Sequence, residues 1–90
     1  MEKFKELVSL CKASVEISVN DHRDYHETVE QHLNELEIED IDKEIFDEMV
    51  KRDTLVKVQA YPRTPIGFFV IYHYDIESAI DIALDIAKSY

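Results

Sequence analysis

The run Phe68-Phe69-Val70-Ile71-Tyr72-His73-Tyr74 carries no charge and shows no polar alternation. In a strand, successive side chains point to opposite faces, so a run apolar at every position has to be contacted on both. Immediately before it, Pro62-Arg63-Thr64-Pro65-Ile66-Gly67 holds both prolines and the only glycine of the chain. That cluster predicts a turn, because proline cannot serve a central strand and glycine supplies unusual backbone angles. Upstream of the turn, Val56, Val58 and Ala60 alternate with Lys57, Gln59 and Tyr61, the pattern of a strand with one wet face.

A simple antiparallel hairpin then sets Ala60 opposite Phe69, Val58 opposite Ile71 and Val56 opposite His73. The other side of the sheet collects Leu55, Lys57, Gln59 and Tyr61 with Phe68, Val70, Tyr72 and Tyr74. A bulge in the turn exchanges the rows and exposes Phe69, Ile71 and His73 instead.

The remaining segments read as one further strand and four helices. Phe4, Leu7, Val8 and Cys11 make one stripe of a helix over about 2–12. Val15, Ile17 and Val19 alternate with Glu16, Ser18 and Asn20 as the first strand. Asp21 caps a helix that runs to about 37 with Tyr25, Val29, Leu33 and Leu36 on its stripe. A shorter helix covers 41–52 through Ile41, Ile45 and Met49, flanked by Phe46 and Val50. Asp75 caps the last, about 76–88, with Ile76, Ala79, Ile80, Ala83, Leu84 and Ala87 on its stripe. The order α-β-α-α-β-β-α predicts a single α+β domain over 1–90, with a three-stranded antiparallel sheet and four helices. Placing the all-apolar strand between the other two gives the strand order 1-3-2, with Lys57 on an outer strand.

If the helices cover the Val/Ile side, the row Tyr61, Phe68, Val70, Tyr72 and Tyr74 lacks a cover. Burying one such side chain contributes about 1.5–3 kcal/mol, so an open row of this kind marks a contact surface. The alternative is that one helix, such as the first, crosses to this side and makes a third layer. The last helix widens the apolar surface further, because Ile82 and Ile86 lie beside its main stripe. Its apolar arc is about twice the ~100° that one core face requires.

Charge is concentrated in the middle of the chain. The formal net charge is −10. Residues 35–48 contain Glu35, Glu37, Glu39, Asp40, Asp42, Glu44, Asp47 and Glu48 against Lys43 alone. Such a run serves as a solvated helix face or as a surface that steers a basic protein partner. Small acidic inhibitors of nucleic-acid-handling proteins share this charge character, a likeness of composition without a motif. Direct binding of nucleic acid is disfavoured, since phosphates repel such a chain and only Lys57 and Arg63 lie near the aromatic strand.

Few residues suggest catalysis. His22 and His26 lie one helical turn apart near Asp24, a spacing that can hold zinc with a further ligand. The pattern His26-Glu27-Thr28-Val29-Glu30 lacks the second histidine of a zinc protease. A metal-dependent hydrolase built on His22, His26 and Asp24 is the enzymatic alternative. Cys11 sits on an apolar stripe with no Cys-x-x-Cys context to argue for an activated thiol, as a buried small hydrophobe does. A small ligand stacked on Tyr61, Tyr72 and Tyr74 beside Arg63 is a third reading. No apolar run approaches the 18 residues of a membrane span, and a cytoplasmic protein is expected. The reading that joins these features is a non-enzymatic, inhibitor-like or regulatory interaction domain without a cofactor. It meets a second copy of itself, as a dimer, or another protein through the row Tyr61, Phe68, Val70, Tyr72 and Tyr74 with Arg63.

Overall fold

A computed structural model describes residues 2–20, 28–36, 41–63 and 67–89. Its elements are α1 (Glu2–Ser9), β1 (Glu16–Val19), α2 (Val29–Leu36), α3 (Lys43–Arg52), β2 (Val56–Ala60), β3 (Phe69–His73) and α4 (Ile76–Lys88). The α+β class and the element order follow the hydrophobic periodicity of the sequence. The helix starts are set by side chains. Asp75 accepts the Ser78 N–H at 3.0 Å at the head of α4, and Asp42 accepts the Glu44 N–H at 2.8 Å at the head of α3. For α2, the predicted cap Asp21 lies outside the described residues. There Thr28 and Gln31 form a reciprocal capping box, with Gln31 N–H to Thr28 Oγ1 at 3.2 Å and Thr28 N–H to Gln31 Oε1 at 2.9 Å.

The hairpin register is the one the alternation predicts, with Val56, Val58 and Ala60 opposite His73, Ile71 and Phe69. Gly67 adopts φ +86°, in the left-handed region that side chains with a β-carbon disfavour. The strand order is β1-β2-β3, and this corrects the expected 1-3-2. β2 is the central strand, so Lys57 lies half-buried in the middle of the sheet and not on an outer strand. The reason is that side chains sense faces while strand neighbours satisfy edges. β3 is apolar because helices lie on both of its faces, and this says nothing about a strand on its far edge.

Both ends of β1 are tied to β2. The Asn20 N–H donates to the Leu55 carbonyl at 2.8 Å, and the Leu55 N–H donates to Asn20 Oδ1 at 2.8 Å. Asn20 achieves this double contact in a left-handed conformation, φ 58°. At the other end, Lys12 N–H donates to the Tyr61 carbonyl and Arg63 N–H to the Leu10 carbonyl.

Two cores lie on opposite faces of the sheet. On one, α1 and α4 pack Leu7, Cys11, Ile80, Ala83 and Leu84 onto Val56, Val58 and Ala60. On the other, α2 and α3 bring Val29, Leu33 and Met49 against Leu55, with Tyr72 and Tyr74 packed on that cluster. The layers are therefore helix–sheet–helix, and the expectation that all helices share the Val/Ile side is corrected. The pair α2–α3 crosses over, while α1 stays on the Val/Ile side. Asp53 locks the crossing pair: it ends α3 at φ 48° and its Oδ1 accepts the Val29 N–H at 3.0 Å. Among the described residues, no helix is long and apolar enough to cross a membrane.

Candidate interaction surface

The aromatic row is divided by the second helix layer. Tyr72 and Tyr74 lie under α2 and α3, and the Arg52 guanidinium stands 4.5 Å from the Tyr74 ring centroid. Six residues away along the strand, on the order of 20 Å, Phe68 is 58% exposed. Its ring centroid is 5.6 Å from that of Tyr61, whose hydroxyl oxygen accepts from Gln59 Nε2 at 2.7 Å. Tyr61, Phe68, Val70, Tyr72 and Tyr74 thus share a face without forming one open platform. Arg63 turns to the opposite edge of the sheet, where its Nε donates to the Cys11 carbonyl at 3.2 Å. The structure does not gather Arg63 with Tyr72 and Tyr74 around one ligand.

What is open instead, among the described residues, is the outer edge of β3. The Asn20–Leu55 bonds show that Leu55 directs its backbone groups toward β1. By alternation along β2, Lys57 and Gln59 do the same, while Val56, Val58 and Ala60 address β3. On β3 the groups of Phe69, Ile71 and His73 therefore point inward to β2. The N–H and C=O groups of Val70 and Tyr72 point outward, and among the described residues no strand pairs with them.

This edge forms the floor of a groove of about 360 Å³. One wall is α4, contributing Ile82 and Ile86; the other is the start of α3, contributing Ile41, Asp42 and Ile45. The wide apolar arc of α4 has its structural counterpart here, since Ile82 and Ile86 are half-buried beside Phe69 and Ile71. On the facing wall Ile41 precedes the Asp42 cap and Ile45 lies in the first turn of α3. The sequence placed Ile41 and Ile45 only in a core stripe, and their second role depends on β3 being an edge.

The acidic residues divide by position. Asp42 caps α3 and lines the groove, Glu44 and Asp47 are exposed, and Glu35 is exposed on α2. Glu48 pairs with Arg52 at 2.8 Å, and this hydrogen bond holds its carboxyl below the usual carboxylate range. Glu37, Glu39 and Asp40 lie outside the described residues, as do His22, Asp24 and His26. Among the described residues no group of three or more His, Cys, Asp or Glu side chains is placed to hold a metal ion.

His73 and Cys11 are titratable groups buried between the helices and the sheet. His73 is 4% exposed, and its Nδ1 accepts the backbone N–H groups of Tyr74 and Asp75 at 2.9 and 3.1 Å. Burial lowers its pKa, partly opposed by the Asp75 carboxylate. With Nδ1 occupied as an acceptor, the ring is the neutral Nε2–H tautomer. Burial likewise raises the Cys11 thiol above its ordinary value, although the Tyr61 backbone and Arg63 act against this. A thiol held protonated in a packed core is a poor nucleophile.

Comparison with protein-family models, curated proteins and solved structures returns no match, so the interaction surface stands on its own geometry.

Proposed function

We propose that the chain is a small acidic interaction domain that docks another protein along the outer edge of β3, with no catalytic role of its own. The observation that carries this reading is the groove itself. An all-apolar edge strand, its outward backbone groups unpaired by any described strand, lies between two walls of isoleucine. Exposed backbone edges are templates for pairing, and apolar walls supply the burial that holds an added segment. The acidic residues of α3 and α4 provide an electrostatic approach for a basic partner.

The test is site-specific photo-crosslinking in cells that produce the protein. A photoreactive phenylalanine analogue replaces Ile82 in the groove or, as the control, exposed Glu30 on α2. Docking predicts a discrete adduct from the Ile82 position that Val70→Pro abolishes. Proline at that position removes an outward N–H while leaving the bonds to β2 intact. Equal adducts from both positions, or none from Ile82, count against the reading.

Self-association is a second reading, and Phe68 favours it. This ring is exposed, rests only partly on Tyr61, and lies outside the groove. A homodimer through this patch predicts that Phe68→Ser halves the mass measured by light scattering without changing stability. Identical monomeric masses for both proteins refute it.

A further inference from the structure

The occupant of the β3 groove can be specified from its shape and charge; this step rests on the reading of the groove as a docking site. We infer that it receives a single extended segment of a partner protein, apolar in its middle and flanked by Lys or Arg, which joins the sheet as a fourth strand.

Shape comes first. The groove is lined from both helix layers as well as from β3, so the edge strand is the floor between two walls. A second copy of the chain carries its own α3 and α4 on either side of its β3. Bringing two such edges to the ~4.8 Å spacing of paired strands drives those walls into each other. A lone strand has no walls and fits. The floor runs from Phe69 to Tyr72, which matches about four residues of an added strand at ~3.3 Å each. Four backbone groups, the N–H and C=O of Val70 and of Tyr72, are oriented to bond it. This is strand addition, in which main-chain bonds fix the register and alternate side chains find pockets on two sides. Here one side is Ile82 and Ile86, and the other is Ile41 and Ile45.

Charge then selects the ends. Among the described residues, the groove is lined by one charged side chain, Asp42, and by no cation. Asp85, which precedes Ile86 in α4, is exposed beyond the groove lining. The chain carries a formal charge of −10, so an acidic segment is repelled while a cationic one is drawn in. Lys or Arg residues on either side of the apolar stretch reach the rim acids and remain hydrated.

The experiment uses the full chain and three capped nonapeptides, followed by backbone NMR and fluorescence polarisation. The first has the sequence Lys-Lys-Val-Thr-Ile-Thr-Val-Lys-Lys. The second replaces every lysine by glutamate. The third carries N-methyl groups on alternate central residues, which removes donors from the pairing edge. The expected result is saturable binding of the first, with the largest shifts at the Val70 and Tyr72 amides. The glutamate peptide binds at least tenfold more weakly. The N-methylated peptide, and the first peptide against Val70→Pro, each lose about three- to tenfold per hydrogen bond removed.

Binding that leaves the Val70 and Tyr72 amides unmoved overturns the inference, as does equal binding of the lysine and glutamate peptides. An Ile82 adduct with the mass of two chains also overturns it, in favour of a second copy. An Ile82 adduct to another protein, combined with no peptide binding, overturns the strand inference while leaving docking in place. Absence of any Ile82 adduct is the distinct failure of the docking reading.

Discussion

Asn20 decides where the sheet ends, and substituting it measures how firmly β1 is held on β2. Two bonds of 2.8 Å join Asn20 to Leu55, one from its backbone N–H and one to its side-chain Oδ1. Leu55 is fully buried, so the loss of Oδ1 strands its N–H away from water. An unsatisfied buried donor costs about 1–3 kcal/mol. Alanine at φ 58° adds about 1–2 kcal/mol for a β-carbon in the left-handed region, a penalty that asparagine relieves by local hydrogen bonding. Asn20→Ala is therefore expected to lose about 2–5 kcal/mol in urea unfolding. Asn20→Gly removes the steric cost and retains the unsatisfied donor, so it falls between alanine and wild type. Asn20→Asp keeps the acceptor and stays within about 1 kcal/mol of wild type. For a domain of this size each kcal/mol shifts the melting temperature by about 4–8 °C, so the alanine variant is readily resolved. Amide exchange supplies a local readout, because the Leu55 N–H loses protection in the alanine and glycine variants only. Equal urea midpoints for the alanine and aspartate variants would falsify the clamp.

His73 predicts a pH response of defined sign. Its folded pKa lies below the unfolded value of about 6.5, since burial disfavours the imidazolium. The stability it contributes is complete above that value and is lost as pH falls from there through the folded pKa. His73→Phe, compared with wild type by urea unfolding between neutral pH and pH 5, should show a shallower fall; parallel curves refute the assignment. Arg52→Ala releases Glu48, whose carboxyl pKa, followed by NMR titration, should rise toward its ordinary value. The ion pair itself should add little to stability because it is solvent-exposed, so any loss reports mainly the contact of the guanidinium with the Tyr74 ring. Thr28→Ala removes one half of the capping box and should cost α2 about 1 kcal/mol in urea unfolding. Gln31→Ala in that background should then cost little more, whereas additive losses would show that the two caps act separately.

The hairpin was legible because its signals are local. Turn residues, strict alternation and the apolar run fix the pairing of β2 with β3 residue by residue. The position of β1 was not, because Ile17 and Val19, with Val15 just before the strand, suit either neighbour. The deciding contacts are the backbone and amide bonds of Asn20 to Leu55 and of Lys12 to Tyr61, which carry no hydrophobic signature. The aromatic row was identified as a face, yet the sequence could not say which part α3 covers. That depends on Asp53 turning the chain so that α2 and α3 lie over Tyr72 and Tyr74. Ile82 and Ile86 did announce a second contact. Their partners on α3 were hidden because Ile41 and Ile45 also satisfy an ordinary core stripe.

The placement of β3 also bears on how this protein fails when heated. A strand without charge, at the rim of a sheet, is a natural seed for stacking molecule upon molecule, and the hydroxyl of Tyr72 is a slight deterrent. The fence against that fate is the pair of flanking walls, α4 with Ile82 and Ile86 and the first turn of α3 secured by the Asp42 cap. If that single turn frays, one side of the seed is uncovered. Thermal loss by that route depends on protein concentration as well as on temperature, and the α3 cap is the place to reinforce against it.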